Sequence, residues 1–277
     1  MAFPETNTKS SLHIRSNSLP SSPHPLVSEI EEHLQRLNDT SSVSSSSISH
    51  KLNGLLDLHD CIDKLLQLPI KQQALARECS EKRVDDILEG SLKLLDISSA
   101  GKDFLLASKE IMYELQSVIR RRRSEETGFK VEGAKYLASR KKLNKAIRKS
   151  LGNLKALKHE CVEDGTFSML RILKEVEQVT VSSLESMFML ICDQSKHRRW
   201  STISKMLQPK RVACDSQESE TNEFEKVDAA LKSSSFEHFQ SHVESLEMCI
   251  QDLEIGVEQL TRKLIRNRVT LLNIFNH

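Results

Sequence analysis

The sequence predicts an all-α protein, an up-and-down helical bundle of about five to six long helices with a disordered serine-rich N-terminal tail. The chain of 277 residues has only 8 glycines and 6 prolines, which is few for a fold with many tight turns. Apolar residues recur at intervals of three and four over most of the chain, as in amphipathic helices. No segment alternates apolar and polar residues for long enough to indicate a sheet.

The predicted tail covers residues 1–47. Four of the six prolines lie in the first 25 residues, and fourteen serines lie in the first 49. Such a segment buries too little apolar area to offset the entropy lost on ordering. Within it, the spacing of apolar residues from Leu26 to Leu37 predicts one short helix after Pro25. Residues 41–49, seven of them serine, are predicted to be a linker.

Residues 48–195 are predicted to form the helical bundle. Pro69 is expected to end a helix because it lacks an amide hydrogen and clashes with the preceding turn. Helix breaks are also predicted near Gly101 and Gly128. The predicted helices cover residues 52–66, 74–95, 104–119, 131–160 and 169–191.

Residues 196–222 lose the helical periodicity and are predicted to be a second linker. Residues 223–277 are predicted to form a C-terminal heptad helix that packs on the bundle, with the apolar stripe at 169–179 as its expected partner. Ten of the eleven positions in its 3,4-spaced seam are apolar, as in a coiled coil; a second copy of the chain is the alternative partner. The seam consists of Phe239, Val243, Leu246, Ile250, Leu253, Val257, Leu260, Leu264, Asn267, Leu271 and Ile274.

No pattern in the sequence indicates catalysis, and we expect no enzyme activity, cofactor, metal site or small-molecule substrate. The six cysteines lack the CxxC spacing of zinc and disulfide motifs. His238 and His242 share a helix face, but Phe239 stands where a zinc protease helix needs its glutamate. His59 and Cys61 are close in sequence, but they are expected to point in different directions on a helix.

The strongest charge feature lies at residues 120–158, which carry fourteen basic residues against three acidic ones, whereas the chain as a whole carries 40 against 39. Such a face attracts anionic lipid, acidic protein surfaces or nucleic acid. Self-pairing with the acidic stretch 215–228 is the alternative. Because the basic residues lack interleaved aromatics, specific nucleic-acid binding is not expected. The candidate basic face comprises Arg120, Arg121, Arg122, Arg123, Arg140, Lys141, Lys142, Lys145, Arg148 and Lys149.

A candidate phosphorylation motif lies in the tail. Arg15 precedes Ser18 by three residues and Pro20 follows it by two. This R-S-x-S-x-P spacing is the one that 14-3-3 proteins accept, since they bind the phosphate with an arginine cluster. We therefore predict a protein partner, with 14-3-3 binding at phosphorylated Ser18 as one case.

The predicted location is cytoplasmic or peripheral to a membrane. No apolar run reaches the 18 residues that a membrane-spanning helix needs. The first 25 residues contain several serines and a single acidic residue, Glu5, so a chloroplast transit peptide is an alternative interpretation of the tail.

Several segments together resemble a plant-specific family of helical proteins related to the Bypass proteins. They extend over almost the whole chain, and their order is more specific than any one of them. The resemblance implies a non-enzymatic role in root and shoot development and supplies no catalytic residues. The segments are HIRSNSLP at 13–20, HP at 24–25, the serine tract, LLDLH at 55–59, GSLKLLD at 90–96, RRRR at 120–123, YLASRKK at 136–142 and RVTLLN at 268–273.

Overall fold

The computed structural model describes residues 24–39, 44–121, 126–156, 169–192, 222–233 and 238–276. Every regular element in these ranges is a helix, so the predicted all-α class is confirmed. Five of the helices exceed twenty residues. The helices are α1 Pro25–Asp39, α2 Ser45–Leu66, α3 Pro69–Glu78, α4 Glu81–Arg121, α5 Glu126–Ala156, α6 Met169–Ile191, α7 Glu223–Lys232 and α8 Phe239–Phe275.

Polar contacts between the long helices show their relative directions. Arg268 of α8 bonds to Ser91 of α4, and Glu254 of α8 pairs with Lys109 further along α4, so these two helices are antiparallel. By contrast, α8 runs parallel to α2, because Gly256 lies against Leu52 and Lys263 pairs with Asp60. Likewise α4 runs parallel to α6, since Gly90 approaches Glu177 and Gly101 approaches Met187. Thus α2 and α8 run in one direction, and α4 and α6 run in the other.

Helix α8 buries its complete seam inside the bundle. All eleven seam positions are buried, and the helix packs on α2, α4 and α7. The stripe at 169–179 is not its main partner, so that expectation was wrong: α6 directs this stripe toward other helices, chiefly α4 and α2. A Cβ atom at Gly256 would lie 3.0 Å from Leu52 Cδ1. The missing side chain therefore allows the close approach of α2 and α8.

The predicted helix break at Gly101 was wrong, because α4 is continuous from Glu81 to Arg121. It joins most of two predicted helices into one of 41 residues. Gly101 is buried, and a Cβ atom there would lie 2.8 Å from Met187 Cε and 3.2 Å from Phe188 Cε1. This glycine is needed for close contact between α4 and α6 rather than for a turn.

Helix α1 is part of the core. Its apolar face buries Val27, Ile30, Leu34 and Leu37 and packs on α2 and α6. The predicted linker at 41–49 was wrong for residues 45–49, which form the start of α2. The N-cap Ser44 accepts a hydrogen bond from the Ser47 amide at 3.2 Å. A serine hydroxyl at this position satisfies an amide that has no partner within the helix.

Candidate functional site

Five basic residues are exposed on one face of α5. They are spaced by one, three, three and one residues, and residues three or four apart share a helix face. The opposite face is apolar and buries Leu143, Ile147 and Leu154. We call the exposed set the α5 basic surface; it consists of Lys141, Lys142, Lys145, Arg148 and Lys149.

The α5 basic surface has little local acid to neutralise it. Residues 133–156 contain no Asp or Glu, and its four lysines form no ion pair within the described residues. The described part of the acidic stretch, 222–228, does not pair with these lysines; its Asp228 contacts Arg140 in the interior. Residues 215–221 lie outside the described ranges. Within the described residues, no carboxylate therefore neutralises these four lysines.

The structure describes only some of the other predicted site residues. Arg120 is exposed near the end of α4, and Arg121 belongs to the last turn of that helix. Arg122 and Arg123 lie outside the described residues. The whole phosphorylation motif, Arg15, Ser18 and Pro20, lies outside them too.

Arg140 does not belong to the exposed basic face, and its assignment there was wrong. Its side chain is 2% exposed and lies between α5, α6 and α7. Nη2 donates a 2.8 Å hydrogen bond to the carbonyl of Ile191, Nε lies 3.6 Å from Asp228 Oδ1, and the guanidinium covers the Phe224 ring at 4.8 Å. The last carbonyls of a helix have no partner within it, and a cation is favoured there. Arg140 therefore serves as the C-terminal cap of α6.

Further polar groups surround Arg140. Asn222, the N-cap of α7, donates a 3.2 Å hydrogen bond from Nδ2 to the carbonyl of Leu190. Tyr136 lies one helical turn before Arg140 and is also buried. Burial raises the pKa of the Tyr136 hydroxyl above its ordinary value, so this phenol stays protonated. Together these contacts attach α7 to the end of α6.

A second buried polar cluster joins α2, α6 and α8. Thr180 donates its hydroxyl proton to the Val176 carbonyl at 2.7 Å, so it accepts the proton of His59 Nε2 at 3.0 Å. The Asn267 amide nitrogen lies 2.9 Å from His59 Nδ1 and donates to it. The neutral imidazole of His59 therefore has a hydrogen-bond partner at each ring nitrogen: Nε2 donates and Nδ1 accepts. Burial, with a smaller contribution from Lys263, lowers the pKa of His59 to about 4.

The cavity beside His59 is too small for an ordinary substrate. Its volume is about 50 Å³, against roughly 150 Å³ for a protein cavity that binds benzene. Most of its lining is apolar, including Ile62, Leu94 and Leu264, and Asn267 supplies a polar edge. The His59 cluster therefore connects helices within the core.

The cysteine and histidine pairs singled out in the sequence do not form reactive dyads. His59 points to α6 and α8, whereas Cys61 lies near Glu29 of α1. Burial raises the pKa of the Cys61 thiol to about 11 and that of Cys249 to about 12; protonated thiols are poor nucleophiles. The rings of His238 and His242 are 6.5 Å apart, and no third metal ligand joins them within the described residues.

Two contacts were missed because their partners are far apart in sequence. His59 and Asn267 are separated by 208 positions. Asn267 is the one polar member of the seam, and a buried polar residue needs a partner, which is the signal that could have suggested the cluster. Arg140 has the same spacing as buried Tyr136, Leu143 and Ile147, and this spacing could have removed it from the exposed face.

Among the described residues, none of the helices combines the length and apolar character needed to cross a bilayer.

Comparison with known proteins identifies the family. No curated protein and no solved structure matches the chain. A family model described as Protein BPS1 matches residues 51–274, a segment that includes most of α2 and extends into the last turn of α8. The chain therefore belongs to the BPS1 family, a plant family related to the Bypass proteins.

Proposed function

We propose that the protein is a non-enzymatic interaction protein in plant development and that it binds an acidic surface of a partner protein through the α5 basic surface. Family membership supports the developmental role. The observation that carries the binding proposal is the row of exposed cations along α5, of which the four lysines form no ion pair within the described residues. A surface of this kind accelerates association with an oppositely charged partner and selects against positively charged ones.

Anionic lipid is the second candidate for the same surface. Each basic residue near an anionic membrane contributes about 1 kcal/mol, so five of them give roughly 5 kcal/mol, which is weak and reversible binding. The exposed apolar residues on α5 include Val131, Ala134, Ala138 and Ala146, and none of these four is an aromatic or long aliphatic side chain that could anchor the helix in a bilayer. This chemistry favours a protein partner over lipid.

Neutralising the α5 basic surface is expected to reduce partner recovery about tenfold or more, because the loss of four cations slows association with an acidic partner and removes the charge contacts that select it. The variant carries Lys141→Gln, Lys142→Gln, Lys145→Gln and Lys149→Gln. Tagged full-length protein would be purified from plant tissue and its partners quantified by mass spectrometry at two salt concentrations. Higher salt is expected to reduce the recovery from the unmodified protein as well.

The matched control for this experiment removes four charges elsewhere. Lys71, Lys82, Lys102 and Lys226 lie on other helices, and their replacement by Gln lowers the net charge equally. This control is expected to keep its partners. Equal losses in both variants would contradict a specific role of α5. Flotation with phosphatidylserine vesicles, rather than recovery of a protein, would identify lipid as the partner.

We further propose that phosphorylation of Ser18 regulates the protein through 14-3-3 binding. A phosphate at Ser18 has Arg15 and Lys9 as its only basic neighbours in the tail up to residue 25, so an arginine-lined groove competes well for it. A synthetic 11–25 peptide with phosphoserine at position 18 is expected to bind 14-3-3 at micromolar concentration or below. The unphosphorylated peptide and the Arg15→Ala phosphopeptide are the controls. Equal binding of all three in a fluorescence polarisation titration would reject the motif.

A further inference from the structure

Three side chains with metal-binding groups meet where α1 packs on α2. Glu29 and His33 come from α1, Cys61 comes from α2, and one ligand atom of each lies within 4.8 Å of the other two. Glu29 and His33 are four residues apart and therefore share the α1 face that meets α2. His33 and Cys61 are buried, whereas Glu29 is exposed. The cluster thus has two ligands held in the core and one that is open to solvent.

We propose that Glu29, His33 and Cys61 form a zinc site. Thiolate, imidazole and carboxylate are all zinc ligands. A thiolate disfavours magnesium and calcium, which prefer oxygen. Three protein ligands leave the fourth position of a tetrahedral ion to water. This inference does not depend on the function proposed for α5.

The three ligand atoms would have to move slightly closer together to bind zinc. Zinc binds sulfur at about 2.3 Å and nitrogen or oxygen at about 2.0 to 2.2 Å, so tetrahedral ligand atoms lie roughly 3.3 to 3.8 Å apart. The present atoms are within 4.8 Å of one another, and a shift of about 1 Å would bring them to these separations. The exposed side chain of Glu29 can make most of this shift. Binding releases the thiol proton of Cys61 to solvent and changes no oxidation state.

Arg36 is the expected competitor of zinc. Its Nη2 donates a 2.8 Å hydrogen bond to His33 Nδ1. Zinc at Nδ1 would replace this bond directly. Zinc at Nε2 would leave the proton on Nδ1, which could then no longer accept from Arg36. In both cases Arg36 must turn away, and its positive charge opposes the incoming dication.

A zinc ion here would join the N-terminal helix to the rest of the bundle. The family match begins at residue 51, so α1 precedes it, whereas Cys61 lies within it. The ion would thus fix an element outside the matched segment to a helix inside it. Because a metal that binds only the folded form stabilises that form, zinc is expected to protect α1 from local unfolding.

The test uses the full-length protein freed of metal. Zinc affinity would be measured by competition with a chromophoric chelator, and cobalt(II) would replace zinc to reveal a thiolate-to-metal absorption band. We expect one zinc ion to bind per chain at this site. Cys61→Ser is expected to lower the affinity about tenfold or more and to remove the cobalt–thiolate band. Cys79→Ser is the control, because Cys79 belongs to no such cluster within the described residues, and it should change neither readout.

Two further variants keep the test decisive if Cys61→Ser does not fold. Glu29→Gln changes an exposed residue and is expected to lower zinc affinity about tenfold. Arg36→Gln removes the competing cation and is expected to raise it severalfold. Unchanged affinity in both variants, or a cobalt–thiolate band that survives Cys61→Ser, would overturn the proposal.

Discussion

Replacing Arg140 with Met is expected to lower the free energy of unfolding by about 3 to 5 kcal/mol, the usual cost of leaving a buried charge without its partner. Asp228 is only 6% exposed, so it would lose its cation without gaining water. The Ile191 carbonyl at the end of α6 would also lose its hydrogen-bond donor. Urea denaturation followed by circular dichroism would measure the change.

Two further variants separate this effect from a general sensitivity of α5. Arg140→Met combined with Asp228→Leu removes both charges, and it is expected to recover most of the stability lost in the single variant. Arg148→Met replaces an exposed arginine on the same helix and is expected to cost about 0.5 kcal/mol or less. A similar cost for Arg148→Met and Arg140→Met would contradict the buried ion pair.

Acid is expected to destabilise the fold through His59. Its pKa is about 4 in the folded protein and about 6.5 in an unfolded chain. Between these values the unfolded chain binds more protons, so stability falls as the pH falls from 6.5 toward 4. At pH 4 the contribution lost relative to pH 7 is roughly 3 kcal/mol. Lys263 opposes protonation of His59, whereas Asp60 favours it.

The His59 contribution is measured as a difference between proteins, since carboxyl groups titrate in the same range. Urea denaturation at several pH values would be compared for the unmodified chain, His59→Gln and His50→Gln. The His59→Gln protein should show a smaller loss of stability between pH 6.5 and 4. His50 is exposed, and its variant should retain the full pH dependence. Identical slopes in all three proteins would show that His59 is not held neutral.

Helix type and seam positions could be predicted from spacing, whereas helix partners could not. All eleven seam residues of α8 are buried as the heptad pattern predicts, because local periodicity alone determines which face is apolar. The choice of the helices on which α8 packs depends on close contacts between helices, such as that of Gly256 with Leu52. Gly101 shows the same limit, since glycine at a turn and glycine at a helix contact look identical in one sequence.

The same distinction applies to the candidate sites: a site within one helix could be predicted, whereas a site shared between helices could not. The α5 basic surface follows from a run of charges within one helix, and among the described residues of that helix the prediction misplaced Arg140. The Glu29, His33 and Cys61 cluster draws on two helices, so the cysteine spacing that argued against zinc did not detect it. His59 and Asn267 meet only when α2 and α8 pack side by side.

The position of α8 has a consequence for synthesis on the ribosome. The end of α2 at Leu66 and the start of α8 at Phe239 are 173 residues apart, yet α8 packs on α2 along a continuous face. At about 5 to 20 residues per second, the ribosome needs roughly 9 to 35 s to make the intervening chain. During that time α2, and α4 once it has been made, lack the helix that covers them, and their apolar faces are available to chaperones. The nascent chain can form helices early, but it can complete its core only after α8 has left the ribosome.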